Sequence, residues 1–165
     1  MPDDSTAEAR DTTHMEPDHG TTTAETGSAP VRTPAQGVVT SAAEARGHAE
    51  SVVRAQWEEL GGRARDEDVI DLLLVVSELV TNAIRHGGGL AGFEVRPVDD
   101  GVWIAVRDHS SAVPRAAYAF PTRHRGSGYG WPLVARLARD IAVEPRPGGG
   151  KTISVLVPVR AAGER

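Results

Sequence analysis

Cysteine is absent from the chain, which excludes disulfide staples, thiolate zinc sites and cysteine nucleophiles and fits a reducing compartment. Any chemistry must therefore come from oxygen and nitrogen groups. Lysine is almost missing too: of 18 basic residues only Lys151 is a lysine. That skew reads as a coding bias, so the arginines are not a nucleic-acid footprint, and with aromatics at 4% no basic face interleaved with aromatics emerges. No direct nucleic-acid contact is expected. No apolar run reaches the roughly 18 residues that span a bilayer. The N-terminus MPDDSTAEAR also has no basic stretch followed by an apolar one. The expectation is a cytoplasmic protein without a membrane partner.

What charge there is sits unevenly. Residues 1–30 hold seven Asp or Glu against one Arg, a balance of −6, which leaves +1 for the rest of a chain whose net charge is −5. Residues 1–35 are Thr, Glu, Asp, Ala, Gly and Pro with almost no large apolar side chain, a composition that cannot offset the entropy of ordering. They are expected to form a disordered acidic tail, with one folded domain over residues 36–160 and a short tail over 161–165.

Within that domain the periodicities follow one another clearly. Ser41-Ala42-Ala43-Glu44 has the form of a capping box. It opens a helix to about Leu60 with Ala49, Val53, Trp57 and Leu60 as its buried stripe. A second helix is predicted from about Glu67 to His86, with Val69, Leu72, Leu73, Val76, Val80 and Ala83 facing the core. Ile70 and Leu74 lie on its polar side and suggest a partly covered flank. Gly87, Gly88 and Gly89 end it. Gly92 to Pro97 and Val102 to Asp108 read as strands joined by the hairpin signal Asp99-Asp100-Gly101. His109 to Gly130 has no period and reads as a long loop. A short helix from Trp131 to Arg139 tolerates Pro132 in its first turn. Ile141 to Glu144 and Thr152 to Pro158 are the last strands. Helix, helix, two strands, loop, helix, two strands packs naturally as an α+β, two-layer α/β sandwich with a mostly antiparallel sheet and its helices on one face.

The stretch Glu-Leu-Val-Thr-Asn-Ala-Ile-Arg-His, from Glu78 to His86, stacks a carboxylate, a carboxamide and an imidazole at four-residue steps, on successive helical turns. Asp108 stands where the second strand stops, Gly126-Ser127-Gly128-Tyr129-Gly130 precedes a helix, and Gly150-Lys151-Thr152 enters the last strand. Each is weak alone. Aspartate at a strand end is commonly a turn residue, loop glycines commonly confer flexibility, and Gly-Lys-Thr without its upstream half is not a P-loop.

Taken in order, these motifs resemble the N box, G1 box, G2 box and final threonine of the GHKL ATPase superfamily, which includes histidine kinase catalytic domains, Hsp90, gyrase B and the anti-sigma factor serine kinases. The resemblance covers roughly Ser41 to Pro158, and the small single-domain anti-sigma kinase type is the most similar, through S-E-L-V-T-N-A-I-R-H-G and G-Y-G-W-P-L-V-A-R-L-A. It implies a Bergerat-type ATP-binding fold, with ATP and Mg²⁺ as cofactors. Asn82 would coordinate Mg²⁺ and Glu78 would be the general base. Asp108 would accept a hydrogen bond from the adenine amino group, with Thr152 supporting it. Gly126, Gly128 and Gly130 would form the phosphate-facing part of the lid. His86 would be a helix-end structural residue. Ser110 stands where the superfamily has glycine, a replacement that narrows the adenine pocket.

The resemblance implies an ATP-binding regulatory protein that is a serine/threonine protein kinase, transferring the γ-phosphate to a small antagonist (anti-anti-sigma) protein and binding a sigma factor. The alternative is a nucleotide-dependent module that sequesters sigma without phosphotransfer. A detached histidine kinase catalytic domain is disfavoured, since His14 and His19 fall in the acidic tail and His48 lies on the first helix without a partner hairpin. No first strand is visible in Val31 to Thr40, which leaves open a homodimer through that edge. The lid arginines Arg115, Arg123 and Arg125 are too common a residue type here to be assigned to the γ-phosphate.

Overall fold

The structure, a computed structural model, describes residues 38–113 and 130–163. The tail over residues 1–35, the glycines Gly126 and Gly128 and the arginines Arg115, Arg123 and Arg125 lie outside the described residues. Among the described residues three helices and four strands follow in the expected order: α1 (Ala42–Glu59), α2 (Asp66–His86), β1 (Leu90–Val98), β2 (Gly101–Asp108), α3 (Gly130–Leu137), β3 (Arg139–Pro145) and β4 (Lys151–Val157). The sheet order is β1-β2-β4-β3, and every neighbouring pair is antiparallel. The architecture is the expected α+β sandwich.

Helix α1 starts as its capping box requires, with the Glu44 amide donating to Ser41 Oγ at 3.2 Å. The Glu44 carboxylate reaches one residue further back than the motif predicts. It accepts from the Thr40 amide at 2.7 Å and the Thr40 hydroxyl at 2.9 Å, and these bonds, the amide first, hold its pKa below the ordinary glutamate value. Ala45, Ala49, Val52, Val53 and Trp57 are buried. Leu60 is not in the stripe: it is 70% exposed, because the helix stops at Glu59 and Leu60 turns out as its C-cap.

Helix α2 begins without a side-chain cap. Its first turn instead carries Asp66, Glu67 and Asp68, three carboxylates at the positive end of the helix dipole. Asp68 is fixed by Arg160, whose backbone amide, Nε and Nη2 donate to its carboxylate at 2.9, 3.0 and 2.8 Å. The Arg160 guanidinium is the main reason the Asp68 carboxyl is held below its ordinary pKa, against the opposing effect of burial. The segment after β4 thereby closes on the start of α2. Arg65 donates to Arg160 O at 2.9 Å, Ala162 donates to Arg63 O at 2.7 Å, and Ala64 pairs with Ala161.

Leu72, Val75, Val76, Leu79, Val80 and Ala83 bury the inner face of α2, each large side chain stabilising the fold by roughly 1.5–3 kcal/mol. The stripe is wider than periodicity predicts, since Val75 and Leu79 join it while Val69 and Leu73 are only partly buried. Ile70 and Leu74 do not cover the polar flank, being 57% and 43% exposed. Opposite lie Phe93 and Val95 of β1, Val102, Ile104 and Val106 of β2, and Ile153, Val155 and Val157 of β4. On the outer face of the sheet the Arg96 guanidinium stacks 4.2 Å from the Trp103 ring, and Arg107 bonds Glu94. The central strand β2 is therefore covered on both faces.

Candidate functional site

The C-terminal half of α2 carries the site. Glu78 and Asn82 are half-buried, and the Asn82 side-chain amide donates from Nδ2 to Glu78 Oε1 at 2.9 Å. With the amide nitrogen turned to Glu78, the remaining polar atom of the carboxamide is its carbonyl oxygen, an acceptor. The cover on this flank comes from α3. A Cβ on Gly130 would overlap the Glu78 carboxylate, so glycine at the first position of α3 lets that helix close against the acid. Glu78, Asn82 and Gly130 are thus brought together. Trp131 and Val134 are the buried residues that seat α3.

One turn beyond Asn82 the helix ends. The Gly87 amide donates to Ala83 O at 3.0 Å and Asn82 O at 3.1 Å, and the Gly89 amide to Ala83 O at 3.1 Å, with Gly88 in the left-handed conformation at φ +73° that glycine adopts without strain. Gly87 is buried, and a Cβ there would come within 2.6 Å of the Asp108 side chain. Its carbonyl accepts from the His109 amide at 2.9 Å. The end of α2 and the end of β2 are therefore locked together, with Asp108 between them. From Glu78 to Gly87 is about 13.5 Å along the helix axis at 1.5 Å per residue. His86 and Arg85 are exposed in the last turn, where positive charge suits the helix dipole.

Asp108 is only 3% exposed and both of its oxygens are engaged. Oδ1 accepts from the Ser110 amide at 3.0 Å, and Oδ2 accepts from Lys151 Nζ at 2.7 Å. Lys151 Nζ also donates to the Ser110 carbonyl at 3.0 Å. Ser110 has its own role in the turn, its hydroxyl accepting from the Ala112 amide at 3.2 Å.

Thr152 is not brought to Asp108. Asp108 pairs with Lys151 and Arg107 with Thr152, and because neighbours in a strand point to opposite faces, Thr152 shares the outer face with Arg107. Sequence reasoning missed Lys151, considering it only as half of an absent P-loop. The missed signal was the alternation of β4: with Ile153, Val155 and Val157 turned inward, Lys151 must point inward too.

Among the described residues no group of three or more His, Asp or Glu side chains could hold a metal ion. A divalent cation here would have the Asn82 oxygen as its protein ligand and would take the rest from phosphates and water, a division that suits Mg²⁺. A cleft of about 620 Å³ opens at the other end of the sheet, lined by Trp57, Asp71, Asp99, Arg136 and the Asp68–Arg160 pair among others. It contains none of the residues the motifs nominate, and its principal ion pair ties down the chain after β4.

A helix carrying the carboxylate and carboxamide, a buried aspartate at the end of the adjacent strand, and a glycine-started helix over the acid all fall within residues 67–161. That segment matches the family model described as histidine kinase-, DNA gyrase B- and HSP90-like ATPase, and it makes up more than half of the 165 residues. The chain belongs to this ATPase family. As a member it is an ATP-binding domain, with ATP-dependent activity as its general function. No curated protein matches the chain. No described helix of this ATPase-family domain is long and apolar enough to cross a membrane.

Proposed function

We propose that the protein is an ATP-dependent regulatory kinase of the anti-sigma factor type, which transfers the γ-phosphoryl group to a serine or threonine of a small antagonist protein. The observation that carries this reading is the Glu78–Asn82 pair: a carboxylate one turn from a carboxamide, oriented by that carboxamide at 2.9 Å and backed by Gly130. A base must be held in hydrogen-bond reach of the proton it removes, and the Asn82 bond restricts Glu78 to few orientations.

In this reading the nucleotide lies along the second half of α2, with its base at Asp108 and its phosphates at Asn82. Asn82 Oδ1 would be the protein ligand that holds Mg²⁺, and the ion would supply charge neutralisation to the triphosphate. Glu78 accepts the proton of the substrate hydroxyl. The new bond joins that oxygen to the γ-phosphorus as the bond to the β–γ bridging oxygen breaks, and ADP leaves with the electron pair. The protein supplies positioning and charge more than covalent chemistry.

The test is transfer of labelled γ-phosphate to candidate antagonist proteins. Glu78→Gln keeps ATP affinity within a few-fold and lowers transfer by at least about 100-fold, the usual worth of a positioned base. Tight antagonist or sigma binding with no transfer by the wild type would replace this reading with a sequestering module. Full transfer by Glu78→Gln would remove Glu78 as the base.

A further inference from the structure

We propose that Lys151, and not Thr152, is the residue that sets Asp108 for reading the nucleotide base; this rests on the placement of the base at Asp108 proposed above. The β2–β4 register puts Lys151 directly opposite Asp108 on the helix-facing side of the sheet and Thr152 opposite Arg107 on the other side. Thr152 also pairs with Glu144 of β3, so its hydroxyl belongs to the outer face.

Lys151 closes a ring of three contacts. Its ammonium bonds Asp108 Oδ2 at 2.7 Å and the Ser110 carbonyl at 3.0 Å, while the Ser110 amide bonds Asp108 Oδ1 at 3.0 Å. The Asp108 and Lys151 residues are 3% and 5% exposed, so both charges are largely removed from bulk water. A buried carboxylate of this kind requires a compensating charge, and Lys151 supplies it. Two of the three ammonium protons are committed to Asp108 and Ser110, which turns the cation toward the turn. Each carboxylate oxygen can accept more than one hydrogen bond, so the ring fixes the carboxylate plane and leaves its remaining acceptor capacity in a set direction. An adenine amino group can donate there, whereas guanine would set a carbonyl against the carboxylate. Without the ammonium, the carboxylate loses both its charge partner and one of the two bonds that hold its plane. Base discrimination should then fall while the contacts to the triphosphate survive. Lys151 is therefore a positioning residue for purine selection, acting through Asp108.

The experiment measures dissociation constants for ATP and GTP with Mg²⁺ on the full chain and compares their ratio among variants whose circular dichroism matches wild type. Lys151→Met is expected to reduce the preference for ATP about tenfold or more, and Lys151→Arg, which restores a cation able to bridge both acceptors, to recover much of it. A wild-type ratio in folded Lys151→Met, or a loss of preference in Thr152→Val instead, overturns the proposal. If Asp108→Asn abolishes the preference and Lys151→Met does not, the base site stands and only the lysine's role falls; if the wild type binds no nucleotide, both fall. A second measurement needs no variant. Because Lys151 is the chain's sole lysine, ¹⁵N-lysine labelling gives a one-site spectrum. The Nζ resonance is expected to be protected from exchange and to shift on saturation with ATP, and an Nζ signal that exchanges freely and ignores ATP contradicts the inference.

Discussion

At the scale of single residues, the site depends on side chains that are absent. Gly130 and Gly87 leave room for Glu78 and Asp108 respectively, and a Cβ at either position would meet the acid it borders. Gly130→Ala is therefore expected to push the Glu78 carboxylate out of its place and to lower phosphoryl transfer by at least about tenfold to 100-fold, the range of a displaced base. Its thermal stability should change by only a degree or two, since α3 is seated by Trp131 and Val134. The check is labelled transfer beside a melting curve. Normal transfer with a normal melt would show that Glu78 does not need this wall. These contacts explain what was legible in the sequence and what was not. Glu78 and Asn82 could be placed on one helix flank from spacing alone, and Asp108 at a strand end from the hairpin that precedes it. The Lys151 contact was equally available from strand alternation. It was obscured because Gly-Lys-Thr attracts a phosphate-binding comparison and because the family resemblance directs attention to the threonine.

At the scale of elements, α1 and α2 were bounded closely, whereas β1 and β3 each begin two residues before and end one residue after their expected bounds. The Ser41 cap and the Gly87-Gly88-Gly89 stop put helix ends within a residue of the expected positions. The start of α2 has no cap to read, because Arg160, 92 positions away in sequence, fixes Asp68 and the first turn. That pairing gives a pH dependence. Asp68 is held below its ordinary pKa by Arg160, so its contribution to stability is fully present above the unfolded value of about 3.9 and is lost as pH falls through the lower folded value. Unfolding followed between pH 7 and 2 should show wild type losing stability below about pH 4. Asp68→Asn should be less stable at pH 7 by up to about 1 kcal/mol, the range for a pair whose arginine is solvent-screened, and its acid dependence should be shallower. Parallel acid profiles for the two proteins would mean that Asp68 does not contribute in this way.

At the scale of the whole molecule, the apolar core of the described residues runs from Val39, packed against it, to Ala161, so α1 contributes to it from outside the segment that matches the family model. A chain starting at Ala35 is expected to keep the melting temperature within about two degrees and the ATP affinity within a factor of about two, since residues 1–34 carry almost no large apolar side chain that could add to a core. A large change in either would give residues 1–34 a part in the domain that their composition does not suggest. The sheet order β1-β2-β4-β3 brings the end of β2 and the start of β4 to one end of the sandwich, where α2 also ends, and so places Asp108 and Lys151 beside the end of the helix that carries Glu78 and Asn82. That convergence is a property of topology. The closure of α3 on Glu78 comes from the packing of the helices, whereas the inward turn of Lys151 follows from strand alternation.

The most direct test is calorimetric titration of the full chain with ATP, with and without Mg²⁺ and with GTP for comparison, using wild type, Asn82→Ala and Asp108→Asn. The account predicts that wild type binds ATP in a Mg²⁺-dependent way and prefers it to GTP. Asn82→Ala should lose the Mg²⁺ dependence, and Asp108→Asn should lose most of the preference for adenine. Folded wild type that binds no nucleotide at millimolar concentration, or variants that bind as wild type does, would contradict it.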